Sequence, residues 1–77
     1  AYPNPNNGSF KLLFTEADEN LVISVYTMNG QKIVSQHINQ VAVQENLDID
    51  LGHVDTGAYI VKVAGKKINE TFRLLVR

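Results

Sequence analysis

Seventy-seven residues, 44% of them hydrophobic, bound the chain to one small domain whose core is just large enough to hold without staples. There is no cysteine, which excludes disulfides and thiolate metal sites without assigning a compartment. Seven basic residues stand against eight acidic ones, net −1 with no run of one sign, so neither a nucleic-acid-binding face nor a polybasic membrane patch is expected.

The chain opens Ala-Tyr-Pro with no initiator Met or signal peptide, which reads as a piece cut from a longer polypeptide. Residues 1–8, with Pro3, Pro5 and three asparagines, read as a linker end leading into the domain, because each proline removes a donor and restricts its predecessor. The remainder, 9–77, is expected to be a single β domain. Phe10, Leu12 and Phe14 alternate with Ser9, Lys11 and Leu13, the period of a strand with aromatics inward. Thr15 to Asn20 is polar and acidic and is expected to be a connecting loop.

Leu21 to Ile38 is the strongest local signal, two β-rich runs separated by Asn29-Gly30. A two-residue type I′ loop would set Met28 opposite Gln31, Val25 opposite Val34 and Leu21 opposite Ile38, gathering Leu21, Ile23, Val25, Val34 and Ile38 on one face. A three-residue loop with Gly30 in a bulge is the competing geometry, and would bring Ile33 opposite Val25.

Gln40 to Gln44 is expected to form a short strand and Glu45-Asn46 a turn. Leu47 to Leu51 alternates strictly, with Asp48 and Asp50 on the wet side. Gly52 to Gly57 is a loop, and Ala58 to Val63 follows with Tyr59, Val61 and Val63 inward. Gly65-Lys66-Lys67 marks a turn, and the last run puts Phe72, Leu74 and Val76 inward. About seven short strands, turn signals at regular spacing and no amphipathic helix predict an all-β, immunoglobulin-like antiparallel β-sandwich.

Chemistry is sparse. His37 and His53, the only histidines, fit neither a zinc spacing nor a nucleophile–base arrangement and read as surface residues. Asp48, Asp50 and Asp55 could meet at a calcium ion, but charges that keep an outer face wet are the better reading. Asn7-Gly8-Ser9 and Asn69-Glu70-Thr71 match the glycosylation acceptor pattern, which arises often by chance. No catalytic residue, cofactor or metal is expected.

Several motifs occur in a fixed order: Tyr2-Pro3-Asn4-Pro5, Gly8-Ser9-Phe10-Lys11-Leu12, the hairpin centred on Asn29-Gly30, Asp48 to Leu51, Gly57-Ala58-Tyr59 opening a strand, and a basic-apolar end, Arg73-Leu74-Leu75-Val76-Arg77. Together they resemble the type A C-terminal sorting domain of type IX (Por) secretion substrates, from Tyr2 to Arg77. One departure is Arg73, where that family more often has lysine.

The resemblance implies a secretion-targeting module at the end of a secreted or surface protein of a Gram-negative bacterium. Its covalently attached N-terminal passenger would cross the periplasm and outer membrane. The implied partners are the outer-membrane translocon and a sortase-like peptidase, which usually removes the domain by cleaving upstream of or near its start, just before the segment ending at Tyr2. Pro3, Asn4, Pro5, Gly8, Asn29, Gly30, Gly57 and Tyr59 are the motif positions. Because extended chains are often read by strand addition, Arg73, Leu75 and Arg77 with the Lys66-Lys67 turn are the expected recognised surface. Edge strands could also pair two copies into a weak homodimer. The competing functional classes are an immunoglobulin-like spacer or adhesion domain and a carbohydrate-binding module of a secreted protein.

Overall fold

Alternation decides where the strands lie. The computed structural model describes residues 9–52 and 54–77, and over these the chain forms six strands and no helix. They are β1 (Ser9–Phe14), β2 (Asp18–Thr27), β3 (Lys32–Val41), β4 (Glu45–Asp50), β5 (Gly57–Ala64) and β6 (Asn69–Val76). All pairings are antiparallel. One sheet is β1-β4, the other β3-β2-β5-β6, so the chain builds two hairpins in the larger sheet and crosses between layers three times. The result is an all-β sandwich.

Each strand feeds one face to the gap between the layers. Phe10, Leu12 and Phe14 from β1, Ile49 from β4 and Leu51 just beyond it meet Leu21, Ile23 and Val25 from β2, Tyr59, Val61 and Val63 from β5, and Leu74 and Val76 from β6. Phe10 meets Phe72 edge to face, with ring centroids 6.4 Å apart. Burying each large aliphatic side chain contributes about 1.5–3 kcal/mol, which is how a domain this small holds together. Two strands cannot cover four, and between β1 and the start of β6 the layers leave a cleft of about 190 Å³ beside Leu12, Phe14, Ile68 and Phe72.

Six strands form where about seven were expected. The run Gln40 to Gln44 is not a separate strand: β3 continues through Val41, buried opposite Asp18, and the chain then turns. The turn uses up the polar backbone. The Gln44 N–H donates to the Phe14 carbonyl (2.7 Å), the Glu45 N–H to the Ala42 carbonyl (3.2 Å), and the Ala42 N–H to the Glu45 carboxylate (2.7 Å). Gln44 takes φ +66°, which ends the ladder, and Glu45-Asn46 opens β4 rather than turning.

The β2–β3 hairpin corrects the expected loop while keeping the expected body. Val25 pairs with Val34 and Leu21 with Ile38. At the tip, however, the Gly30 N–H donates to the Thr27 carbonyl (2.9 Å) and the Thr27 N–H to the Gln31 carbonyl (2.8 Å), which closes a three-residue loop. Gly30 has φ +92°, and Asn29 is not among the positive-φ residues that a type I′ turn would require. Tyr26 then pairs with Lys32, and Ile33 is the extra residue of a bulge that restores the body. The expected loop Thr15 to Asn20 is also shorter, since β2 begins at Asp18.

Candidate functional site

β6 is an edge strand of the larger sheet. It pairs with β5 from Gly57↔Val76 to Ala64↔Asn69 and has no strand on its other side among the described residues. Period two turns Phe72, Leu74 and Val76 to the core and Arg73 and Leu75 to solvent, Leu75 at 42% exposure. Arg77 follows, exposed. Lys66 and Lys67 lie in the β5–β6 turn at the opposite end of the strand, roughly 30 Å from Arg77 at the usual rise per residue, so the five residues do not make one compact patch.

That turn is fixed from a distance. Asp18, at the start of β2, is buried, and its Oδ2 accepts the backbone N–H groups of Lys67 (2.9 Å) and Ile68 (2.8 Å), while Oδ1 accepts that of Glu19 (2.8 Å). Desolvation pushes its carboxyl up, but the N–H groups of Ile68, Lys67, Glu19 and Lys66 outweigh it and hold the group below its ordinary value. Beside it the Lys66 ammonium donates to Glu19 Oε1 at 2.7 Å. That hydrogen bond and the Glu19 charge raise the Lys66 pKa.

The remaining motif positions serve the frame. Gly57 opens β5 with φ +146°, a conformation that side chains rarely adopt. Tyr59 is buried, and its hydroxyl donates to the Asp55 carbonyl at 2.6 Å, closing the loop before β5 much as a tyrosine corner does. Asn29 and Gly30 form the β2–β3 tip. Pro3, Asn4, Pro5 and Gly8, and the linker reading of residues 1–8, fall outside the described residues, as does His53.

Sequence reading missed Asp18, because its role depends on a turn some fifty positions away. Among the described residues no three His, Asp or Glu side chains gather as metal ligands, and His37 is exposed on β3. Asp48 and Asp50 point outward from β4, with Asp50 Oδ1 accepting the Gly52 N–H at 2.8 Å and Asp48 4.0 Å from Lys11.

Over residues 1–77 the sequence matches the family described as Secretion system C-terminal sorting domain. The chain belongs to this family. Sorting domains of this kind are the C-terminal signal for type IX secretion, which implies a secreted or cell-surface protein of Gram-negative bacteria and contact with the type IX machinery. The family is one of sorting signals and not of catalysts. No curated protein and no solved structure matches the chain.

Proposed function

We propose that this sorting domain carries an N-terminal passenger from the periplasm across the outer membrane without chemistry of its own. A sortase-like peptidase then removes it. In this reading the translocon engages the outward side of β6 through Arg73, Leu75 and Arg77, with the Lys66-Lys67 turn as a second, separate contact. Pro3, Asn4, Pro5 and Gly8 lead into the domain next to the cleavage region, and Asn29, Gly30, Gly57 and Tyr59 keep the frame in shape. The observation that carries the reading is the family match over residues 1–77, on a sandwich whose β6 has one edge unpaired among the described residues.

The test fuses residues 1–77 behind a periplasmic reporter in a host with type IX machinery. The reporter is expected outside the cell, and its retention in the periplasm would overturn the proposal. Removing 73–77 should strand the reporter; continued export would remove β6 from the account. Pairing between copies through β1 or β6 would give a weak homodimer, which sedimentation at high protein concentration would detect.

A further inference from the structure

The outer face of the four-stranded sheet carries a charge pattern that the net charge conceals. Tyr26 pairs with Lys32 on one side and Ile60 on the other, and Ile60 pairs with Arg73, so one row runs Lys32, Tyr26, Ile60, Arg73 across all four strands. Lys32 Nζ sits 5.8 Å from the centre of the Tyr26 ring. In the next row Ser24 pairs with Lys62, and toward the hairpin tip Ala58 pairs with Leu75.

None of the eight carboxylates lies on this face. Asp18 and Glu19 are engaged with the β5–β6 turn, Glu45, Asp48 and Asp50 belong to β4 of the other sheet, Glu16 and Asp55 sit in loops, and Glu70 is opposite inward-facing Val63. Among the described residues Lys32, Lys62 and Arg73 have no carboxylate within ion-pair distance. A surface built only for solubility mixes signs. Here three cations without an ion-pair partner among the described residues share a face with Tyr26, Ile60 and the exposed Leu75.

The geometry points to this face as the docking surface for an acidic protein surface of the export machinery, an inference that rests on the reading of the chain as a sorting domain. Arginine and tyrosine are among the residues that most often anchor protein interfaces; here they stand on either side of Ile60 in one row, and the Arg73 guanidinium can hold a carboxylate with two parallel bonds. Lys32 and Lys62, flanking Tyr26, steer an acidic partner onto the row, and Leu75 supplies the apolar contact. A membrane is the poorer occupant. Polybasic lipid recognition uses about four to eight clustered cations, whereas the strands of this face carry three, one each on β3, β5 and β6, with Arg77 beyond the end of β6.

The experiment uses the reporter fusion with Lys32→Glu, Lys62→Glu and Arg73→Glu combined. Export should fall about tenfold, the low end of what electrostatic steering supplies, while Lys11→Glu on the other sheet and the charge-conserving pair Lys32→Arg, Lys62→Arg export like the parent. Undiminished export of the triple variant overturns the inference and leaves the sorting reading standing. An equal loss with Lys11→Glu also overturns it, because net charge would then be what is read. Failure of the parent fusion itself overturns both. If the triple variant does not fold by circular dichroism, Lys32→Gln with Lys62→Gln at exposed positions carries the test instead, with a smaller loss expected and none overturning it. Purified domain should not sediment with phosphatidylglycerol–phosphatidylethanolamine vesicles. Binding that the triple variant abolishes would replace the acidic protein with a membrane.

Discussion

The Asp18 carboxylate accepts the backbone N–H of Ile68 at 2.8 Å, joining positions fifty residues apart. With Lys67 and Glu19 also donating, this one side chain fixes the start of β2 against the β5–β6 turn. Its folded-state pKa lies below the ordinary 3.8. Asp18 therefore favours the folded chain at every pH above the unfolded-state value, and the contribution is lost as pH falls through the lower folded-state value. Denaturation midpoints from pH 6 to pH 2 should drop in that acidic window. Asp18→Asn should lower the midpoint at pH 7 and remove Asp18's share of the acid step; an unchanged pH profile would be the contrary result.

Gly65 is needed for space rather than for backbone freedom. A Cβ there would meet Asp18 Oδ2 at 2.5 Å and Leu21 Cγ at 3.1 Å, and the Asp18 carboxylate, held by several N–H groups, cannot swing aside. Gly65→Ala should cost about 1–3 kcal/mol in urea melts. The cost should shrink when Asp18→Ala is made in the same chain, as a double-mutant cycle will register.

Leu74 and Leu75 are neighbours with opposite duties. Leu74 is fully buried, so Leu74→Ala should cost about 2–5 kcal/mol, a large share of the stability of a domain this size. Leu75→Ala should change stability by no more than about 0.5 kcal/mol and yet reduce reporter export. Equal melting losses in the two variants would contradict the orientation of β6.

At the hairpin tip the left-handed residue is Gly30 alone. Gly30→Ala should cost about 1–2 kcal/mol for forcing a side chain into that region, whereas Asn29→Ala should stay within about 0.5 kcal/mol. Comparable losses at both positions in thermal melts would restore the two-residue loop.

Tyr59→Phe removes the hydroxyl that donates to the Asp55 carbonyl at 2.6 Å and should cost about 1 kcal/mol, read from the denaturant midpoint. A neutral substitution would mean that packing of the ring alone holds the loop.

Most inward rows could be read directly, because a strand with one wet side writes its alternation into the sequence: Phe10, Leu12 and Phe14, then Ile49 and Leu51, then Tyr59, Val61 and Val63 are all buried as expected. The hairpin body was legible for the same reason, since sliding it by one position would turn Leu21 and Val25 to water. What could not be read was set by partners remote in sequence. Asp18 to Asn20 looks like loop, and becomes strand because Val41 and the β5–β6 turn receive it. The Gln40 to Gln44 run has strand composition, but the Phe14 carbonyl takes the Gln44 N–H and the chain turns there. The cationic outer face was invisible as a unit, since its members come from four strands whose lateral order no local pattern encodes.

The extra residue at Ile33 has a chemical meaning beyond geometry. A plain two-residue tip would leave the lower part of the hairpin just as it is, with the same aliphatic row inside, but it would set Ile33 beside Tyr26 and take Lys32 off that face. The observed tip trades places between them: Ile33 tucks partly against the interior and the ammonium swings next to the phenol. A single inserted position thus selects whether the exterior neighbour of that ring is greasy or charged, while Val34 and Ile38 keep their partners Val25 and Leu21.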